Sequence, residues 1–306
     1  MDLTTKIGKV VFKNPIWVAS GTFGYGQEYE DFLNLNEVGA IVTKTITLEA
    51  REGNPPPRII ETPSGMLNSI GLENKGVSHF KEEYLPFLKK LNTRLVVSIA
   101  GSTKAEFVKC AEELTGKLKP DVLELNLSCP NVSHKGAKGL LFSQDAKITK
   151  SIISAVRKRA ACALIAKLTP NVTDITAIAR AAEAGGADAV SLVNTYFGMA
   201  VDLEQWKPAL GNVTGGLSGP AIKPMALKAV WDVSRSVKVP VVGIGGIMTG
   251  LDAVEFMLCG ASAVQVGTAN FADPDAHARI LGEFKEYLRS KKIDKANKLV
   301  GKLKAR

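Results

Sequence analysis

The chain has 306 residues, 45% of them hydrophobic and 23% charged. This suits one large α/β domain, because barrels of eight βα units run to about 250 residues plus insertions. No apolar run approaches the roughly 18 residues a membrane span needs. The formal net charge of +9 gathers at the C-terminus, where Lys285, Arg289, Lys291, Lys292, Lys295, Lys298, Lys302, Lys304 and Arg306 face only Glu286 and Asp294. Residues 285–306 therefore read as a solvated basic helical tail, and the near-balanced remainder does not argue for a nucleic-acid groove.

The N-terminal stretch Met1 to Lys6 lacks the charged-then-apolar layout of a signal peptide, so a cytoplasmic location is expected. Cys110, Cys129, Cys162 and Cys259 form no CxxC pair, which argues against zinc or an iron–sulfur cluster within this chain.

Taken in order, short apolar runs fall at residues 16–19, 40–43, 95–97, 122–125, 163–166, 189–193, 239–244 and 263–266. Helical patterns separate several of them. Phe107, Cys110, Ala111 and Leu114 share one face, as do Ile152, Ile153, Val156 and Ala160, and again Ile175, Ile178, Ala179 and Ala182. Alternating strands and helices imply parallel pairing with right-handed crossovers. Eight units imply closure into a (β/α)8 barrel, one domain over residues 1–306. Cys110 and Cys259 lie on apolar helical faces and Cys162 opens a strand, so these three read as core cysteines. Residues 46–72 and 195–219 are too long for plain connections and are expected to rise over the C-terminal mouth.

Barrel enzymes place their chemistry at the C-terminal ends of the strands. Here those ends read Ser20 and Gly21, Lys44 and Thr45, Ser98, Asn126, Lys167, Asn194 and Thr195, Gly245 and Gly246, then Gly267 and Thr268. The glycine pair Gly245-Gly246 and the neighbouring Gly267-Thr268, on adjacent strands, suit a phosphate, helped by the positive end of the following helix. Lys44 and Lys167 end apolar strands, where an ammonium needs an anion. The reading favours an anionic ligand such as a flavin over an ion pair with a strand carboxylate such as Glu124. Asn68, Asn126, Asn131 and Asn194 both donate and accept, matching a ring of alternating N–H and C=O groups. The run Asn126-Leu127-Ser128-Cys129-Pro130-Asn131 ends a buried strand in amides, a hydroxyl and a thiol. Cys129 can act there as nucleophile or general base.

Several segments together resemble dihydroorotate dehydrogenase. They are Ala19-Ser20-Gly21-Thr22-Phe23-Gly24, Thr43-Lys44-Thr45, Gly53-Asn54-Pro55-Pro56-Pro57-Arg58, Asn68-Ser69-Ile70-Gly71-Leu72, the run around Cys129, 212–220, and Val266-Gly267-Thr268-Ala269. Ser-Gly-Thr-Phe-Gly and Thr-Pro-Ser-Gly-Met-Leu-Asn are similar to the catalytic subunit of the NAD-linked class.

The resemblance implies FMN held by Ser20, Gly21, Lys44, Thr45, Ser98, Asn126, Lys167, Val193, Gly219, Gly245, Gly246, Gly267 and Thr268. Ser98 stands where the family usually carries Asn. Substrate would meet Lys44, Asn68, Ser69, Ile70, Gly71, Leu72, Asn126, Asn131, Asn194 and Thr195. Cys129 would take the C5 proton of dihydroorotate while a hydride leaves C6 for flavin N5. The resemblance also implies a homodimer joined to an electron-transfer subunit carrying FAD and a 2Fe-2S cluster, with NAD as final acceptor. The alternatives are a fumarate-using enzyme without a partner, a flavin barrel acting on another pyrimidine, a non-redox phosphate-binding isomerase, and a non-catalytic assembly subunit.

Overall fold

The computed structural model describes residues 1–116, 120–127 and 141–304. Eight parallel strands close into a barrel in sequence order. They are β1 (Ile16–Val18), β2 (Ala40–Val42), β3 (Arg94–Ile99), β4 (Val122–Asn126), β5 (Ala163–Lys167), β6 (Ala189–Leu192), β7 (Val241–Ile244) and β8 (Ala261–Val266). Each lies on an expected apolar run. The helices outside are α1 (Lys104–Thr115), α2 (Ala146–Arg157), α3 (Ile175–Ala184), α4 (Lys223–Ser234), α5 (Gly250–Leu258) and α6 (Ala276–Ser290), with a further helical segment at residues 76–88.

Side-chain oxygens start four of these helices by accepting otherwise orphaned amides. Thr103 caps α1, Asp145 caps α2, Asp174 caps α3 and Thr249 caps α5. Each helix then turns its apolar face to the barrel. Phe107, Cys110, Ala111 and Leu114 are buried in α1; Ile152, Ile153 and Val156 in α2; Ile178, Ala179 and Ala182 in α3. Cys162 and Cys259 are only partly buried, and burial pushes both thiols upward. Full burial pushes Cys110 up to about 12.

The period of two along each strand explains the interior. Leu123, Leu125, Leu164 and Ala166 belong to the shell cluster under the helices, whereas Val122, Ala163, Ile165 and Ala189 belong to a separate inner cluster. That inner cluster is closed by the antiparallel hairpin of Thr5–Ile7 and Val10–Phe12, which buries Ile7 and Phe12 with Trp17. Two residues further along the strands the inward positions turn polar. Glu124 Oε2 accepts from Ser191 Oγ at 3.0 Å and from Gln265 Nε2 at 2.8 Å, all three fully buried. Two residues further again come Asn126, Lys167, Val193 and Gly267, at the mouth.

The two long insertions meet in one antiparallel sheet. Its strands are Tyr196–Gly198, Gly215–Ser218, Gly65–Asn68 and Ile59–Thr62, in that order. Gly216 pairs with Asn68 and Leu217 with Leu67, so residues far apart in sequence form one wall.

The basic C-terminus is docked, not a free helical tail. α6 buries Ile280, Leu281, Phe284 and Leu288 and stops at Ser290. A 3-10 turn at Ala296–Leu299 buries Ala296 and Leu299, and Gly301 N donates to Met257 O at 3.0 Å. Among the described residues, no helix is long and apolar enough to cross a membrane.

Candidate active site

A cavity of about 380 Å³ opens at the C-terminal mouth. It is bordered by residues from seven of the eight strand ends and by both insertions. From the strand ends come Ser20, Gly21, Lys44, Thr45, Asn126, Lys167, Val193, Asn194, Thr195, Gly245, Gly246, Gly267 and Thr268. From the insertions come Asn68, Ile70, Gly71, Leu72 and Gly219. Its size falls in the ordinary range of ligand pockets, about 300–1,000 Å³.

Two expected contacts sit behind the wall instead. Ser98 is fully buried, and its hydroxyl lies 2.9 Å from Thr45 Oγ1, within the barrel. Ser69 is also fully buried; its hydroxyl accepts from Asn54 Nδ2 at 3.1 Å and its amide donates to Arg58 O. Both support residues that border the cavity. Cys129 and Asn131 lie outside the described residues. On either side of that stretch, Ser143 N and Ser143 Oγ both donate to Leu127 O at 3.0 Å.

The hydroxyls and amides form one chain across the cavity floor. Ser20 Oγ lies 3.1 Å from Thr45 Oγ1, Asn126 Nδ2 donates to Thr45 Oγ1 at 3.2 Å, and Asn194 Nδ2 donates to Asn126 Oδ1 at 3.4 Å. Asn68 Nδ2 donates to Gly216 O at 3.2 Å in the insertion sheet. Such chains fix which edge of each amide faces a ligand.

Both lysines meet a carboxylate. Lys167 is 5% exposed, and its Nζ lies 3.9 Å from Oε1 of the fully buried Glu124. Lys44 Nζ is hydrogen-bonded to Glu73 Oε2. The sequence favours an anionic ligand over such pairs; the structure puts each lysine beside a carboxylate while it still borders the cavity. Glu73 and Arg58 are cavity residues that the strand-end reading missed. Glu73 directly follows Leu72, so extending that motif by one residue finds it.

The glycines explain the shape. Gly21 has φ +91 and no heavy atom within 4 Å of a built Cβ, so its missing side chain leaves open space at the mouth. Gly246, at φ +73, lies so close to α4 that a Cβ would be 2.9 Å from Lys223 N. The expected help from the helix after β7 is absent. Asp252 Oδ2 accepts from Met248 N and Thr249 N at 2.8 Å, and Gly250 N donates to Glu283 Oε2 at 2.6 Å, so carboxylates already occupy the start of α5. Burial would raise the Asp252 carboxyl, but the Lys223 ammonium and these amides outweigh it and hold it below its ordinary value. The helix nearest the glycine pair is therefore α4, entered through Gly219 and Pro220.

This arrangement fits a planar, phosphate-bearing cofactor: close-approach glycines on one side, amide and hydroxyl partners on the floor, ammonium groups nearby. Comparison with known proteins identifies the family. A family model described as dihydroorotate dehydrogenase matches residues 2–288. A protein of Geobacter sulfurreducens named dihydroorotate dehydrogenase B (NAD(+)), catalytic subunit, is 51% identical over 99% of this chain and 98% of its own. Proteins of the same name from Desulforamulus reducens (51% identical, 98% of each chain) and Bacteroides fragilis (49% identical, 99% of each chain) match similarly. With a mouth of the right chemistry and a match along nearly its whole length, the chain belongs to the dihydroorotate dehydrogenase family.

Proposed function

We propose that this chain is the FMN-bearing catalytic subunit of a dihydroorotate dehydrogenase, oxidising dihydroorotate to orotate in the cytoplasm for UMP synthesis. The observation that carries the reading is the mouth cavity, where Gly245, Gly246, Gly267, Lys44, Lys167 and the amides of Asn68, Asn126 and Asn194 come together.

FMN, when bound, supplies the two-electron acceptor. Gly219, Gly245, Gly246, Gly267 and Thr268 would hold its phosphate. Ser20, Gly21, Lys44, Thr45, Asn126, Lys167 and Val193 would hold the rest of it, with Ser98 acting from behind through its contact with Thr45. The substrate ring meets Lys44, Asn68, Ile70, Gly71, Leu72, Asn126, Asn131, Asn194 and Thr195, with Ser69 supporting them. Cys129 takes the C5 proton. A free thiol has a pKa near ~8.5, so neighbours must lower it, or a minority thiolate carries the reaction.

A partner chain with FAD and a 2Fe-2S cluster, joined to a homodimer of this chain, would supply the route from the flavin to NAD. The second insertion supports an interface, since it exposes Leu203 (80%) and Trp206 (90%). Two measurements test the whole reading. The purified chain takes up FMN stoichiometrically and is reduced by dihydroorotate, yet alone it passes electrons to dyes and not to NAD. Absence of flavin absorbance after FMN addition refutes the cofactor; efficient NAD reduction by the single chain refutes the partner.

A further inference from the structure

The cavity has four charged side chains in its described lining: Lys44, Arg58, Lys167 and one carboxylate, Glu73. The Arg58 guanidinium is committed to backbone, with Nε donating to Asn54 O at 2.5 Å and Nη2 to Glu52 O at 2.8 Å. Lys167 is buried against Glu124. Lys44 differs, because its partner Glu73 is itself at the cavity surface, and the two side chains keep 29% and 35% exposure. An ion pair this open to water contributes little net free energy, so an incoming anion displaces its carboxylate at low cost. Glu73 is nevertheless held in place. Gly53, at φ +78, packs directly on its stem, and a Cβ at Gly53 would lie 2.8 Å from Glu73 Cβ.

Dihydroorotate and orotate carry a carboxylate at neutral pH. We infer that Glu73 is a selectivity residue: it holds the Lys44 ammonium before substrate arrives and competes with the substrate's carboxylate for it. The inference rests on the reading that Lys44 meets the substrate. Glu73 thereby weakens the binding of anionic substrate and product, speeding product release, while leaving neutral pyrimidines unaffected. Its neutral isostere keeps the packing on Gly53 and removes only the competing charge.

The test uses the FMN-loaded protein, with flavin content of every variant measured first, so that cofactor binding is judged by itself. Calorimetry then gives the Kd of orotate and of its uncharged carboxamide. In Glu73→Gln, orotate binds roughly three- to tenfold more tightly, the carboxamide stays within about twofold, and the orotate gain shrinks as salt is raised. Lys44→Met weakens orotate in the wild-type background and abolishes the gain in Glu73→Gln. If Lys44→Met weakens orotate while Glu73→Gln leaves it unchanged or weaker, the competition is overturned and Lys44 remains a substrate contact. If neither variant moves the orotate Kd, both the competition and the Lys44 reading fall. Equal tightening of orotate and carboxamide also overturns it, because the effect would then not be one of charge.

Discussion

Lys167 Nζ lies 3.9 Å from Glu124 Oε1, although the residue paired with Lys167 across the two strands is Asn126. The ammonium thus reaches back down the barrel toward a carboxylate that Ser191 and Gln265 already hold by its other oxygen. Lys167→Ala therefore has two separable effects. It leaves a buried, uncompensated charge, costing about 3 kcal/mol, and it loses flavin. The double variant Lys167→Met with Glu124→Gln recovers most of the thermal stability but not the flavin. Thermal unfolding and released-flavin absorbance, read together, decide this; full flavin in Lys167→Ala would remove the lysine from the cofactor site.

Cys129→Ala is expected to block reduction of bound flavin by dihydroorotate while FMN and orotate still bind, since the lost group acts in the transition state. Cys129→Ser is slow near neutral pH and recovers partly as pH rises, because an alkoxide forms less readily than a thiolate. Stopped-flow reduction across pH measures both. A near wild-type rate in Cys129→Ala would show that the base lies elsewhere.

Gly216 has no room for a side chain: a Cβ would lie 2.0 Å from Thr195 Oγ1 and 2.7 Å from Thr195 Cβ. Gly216→Ala should displace Thr195 and raise KM for dihydroorotate roughly tenfold or more, with flavin content near wild type and a melting temperature lowered by a few degrees, as overpacking of about 1–3 kcal/mol implies. Steady-state kinetics with a flavin assay is sufficient. An unchanged KM would mean that Thr195 does not meet the substrate.

His277, on α6, is fully buried with Nε2 2.9 Å from Ile16 O, and burial pushes its pKa below the ordinary value. Below about pH 6.5 the unfolded chain takes up a proton there that the folded chain refuses. This contribution is therefore present above the unfolded pKa and lost as pH falls through it. Melting temperature should drop between about pH 7 and pH 5, and less steeply in His277→Gln. Equal slopes in both proteins would assign the acid sensitivity to other groups.

The barrel was legible because its strands are nearly continuous apolar runs, as buried parallel strands must be. The site floor was legible because strand ends alone locate it. The insertion sheet was not. Its strands, such as Gly-Gly-Leu-Ser at 215–218 and Gly-Met-Leu-Asn at 65–68, are short, glycine-rich and without alternation, and their partners lie in a different insertion. Residue types also could not tell wall from backing. Ser98 and Ser69 stand in the right segments, yet their hydroxyls face Thr45 and Asn54. Likewise, charge counting described the C-terminal lysines but not the apolar contacts of Leu288, Ala296 and Leu299 that dock the segment.

The pairing of Gly216 with Asn68 also constrains how the protein can be assembled and altered. Neither insertion supplies the sheet alone, and the ladder between them closes a loop of well over a hundred residues that includes β3 to β6. Such a contact forms late, after the intervening barrel has brought its ends together. Transplanting one insertion into another barrel would expose an unpaired strand edge, an invitation to intermolecular association. The two insertions are thus a single inheritable unit, and exchange between relatives is expected to succeed only when both travel together.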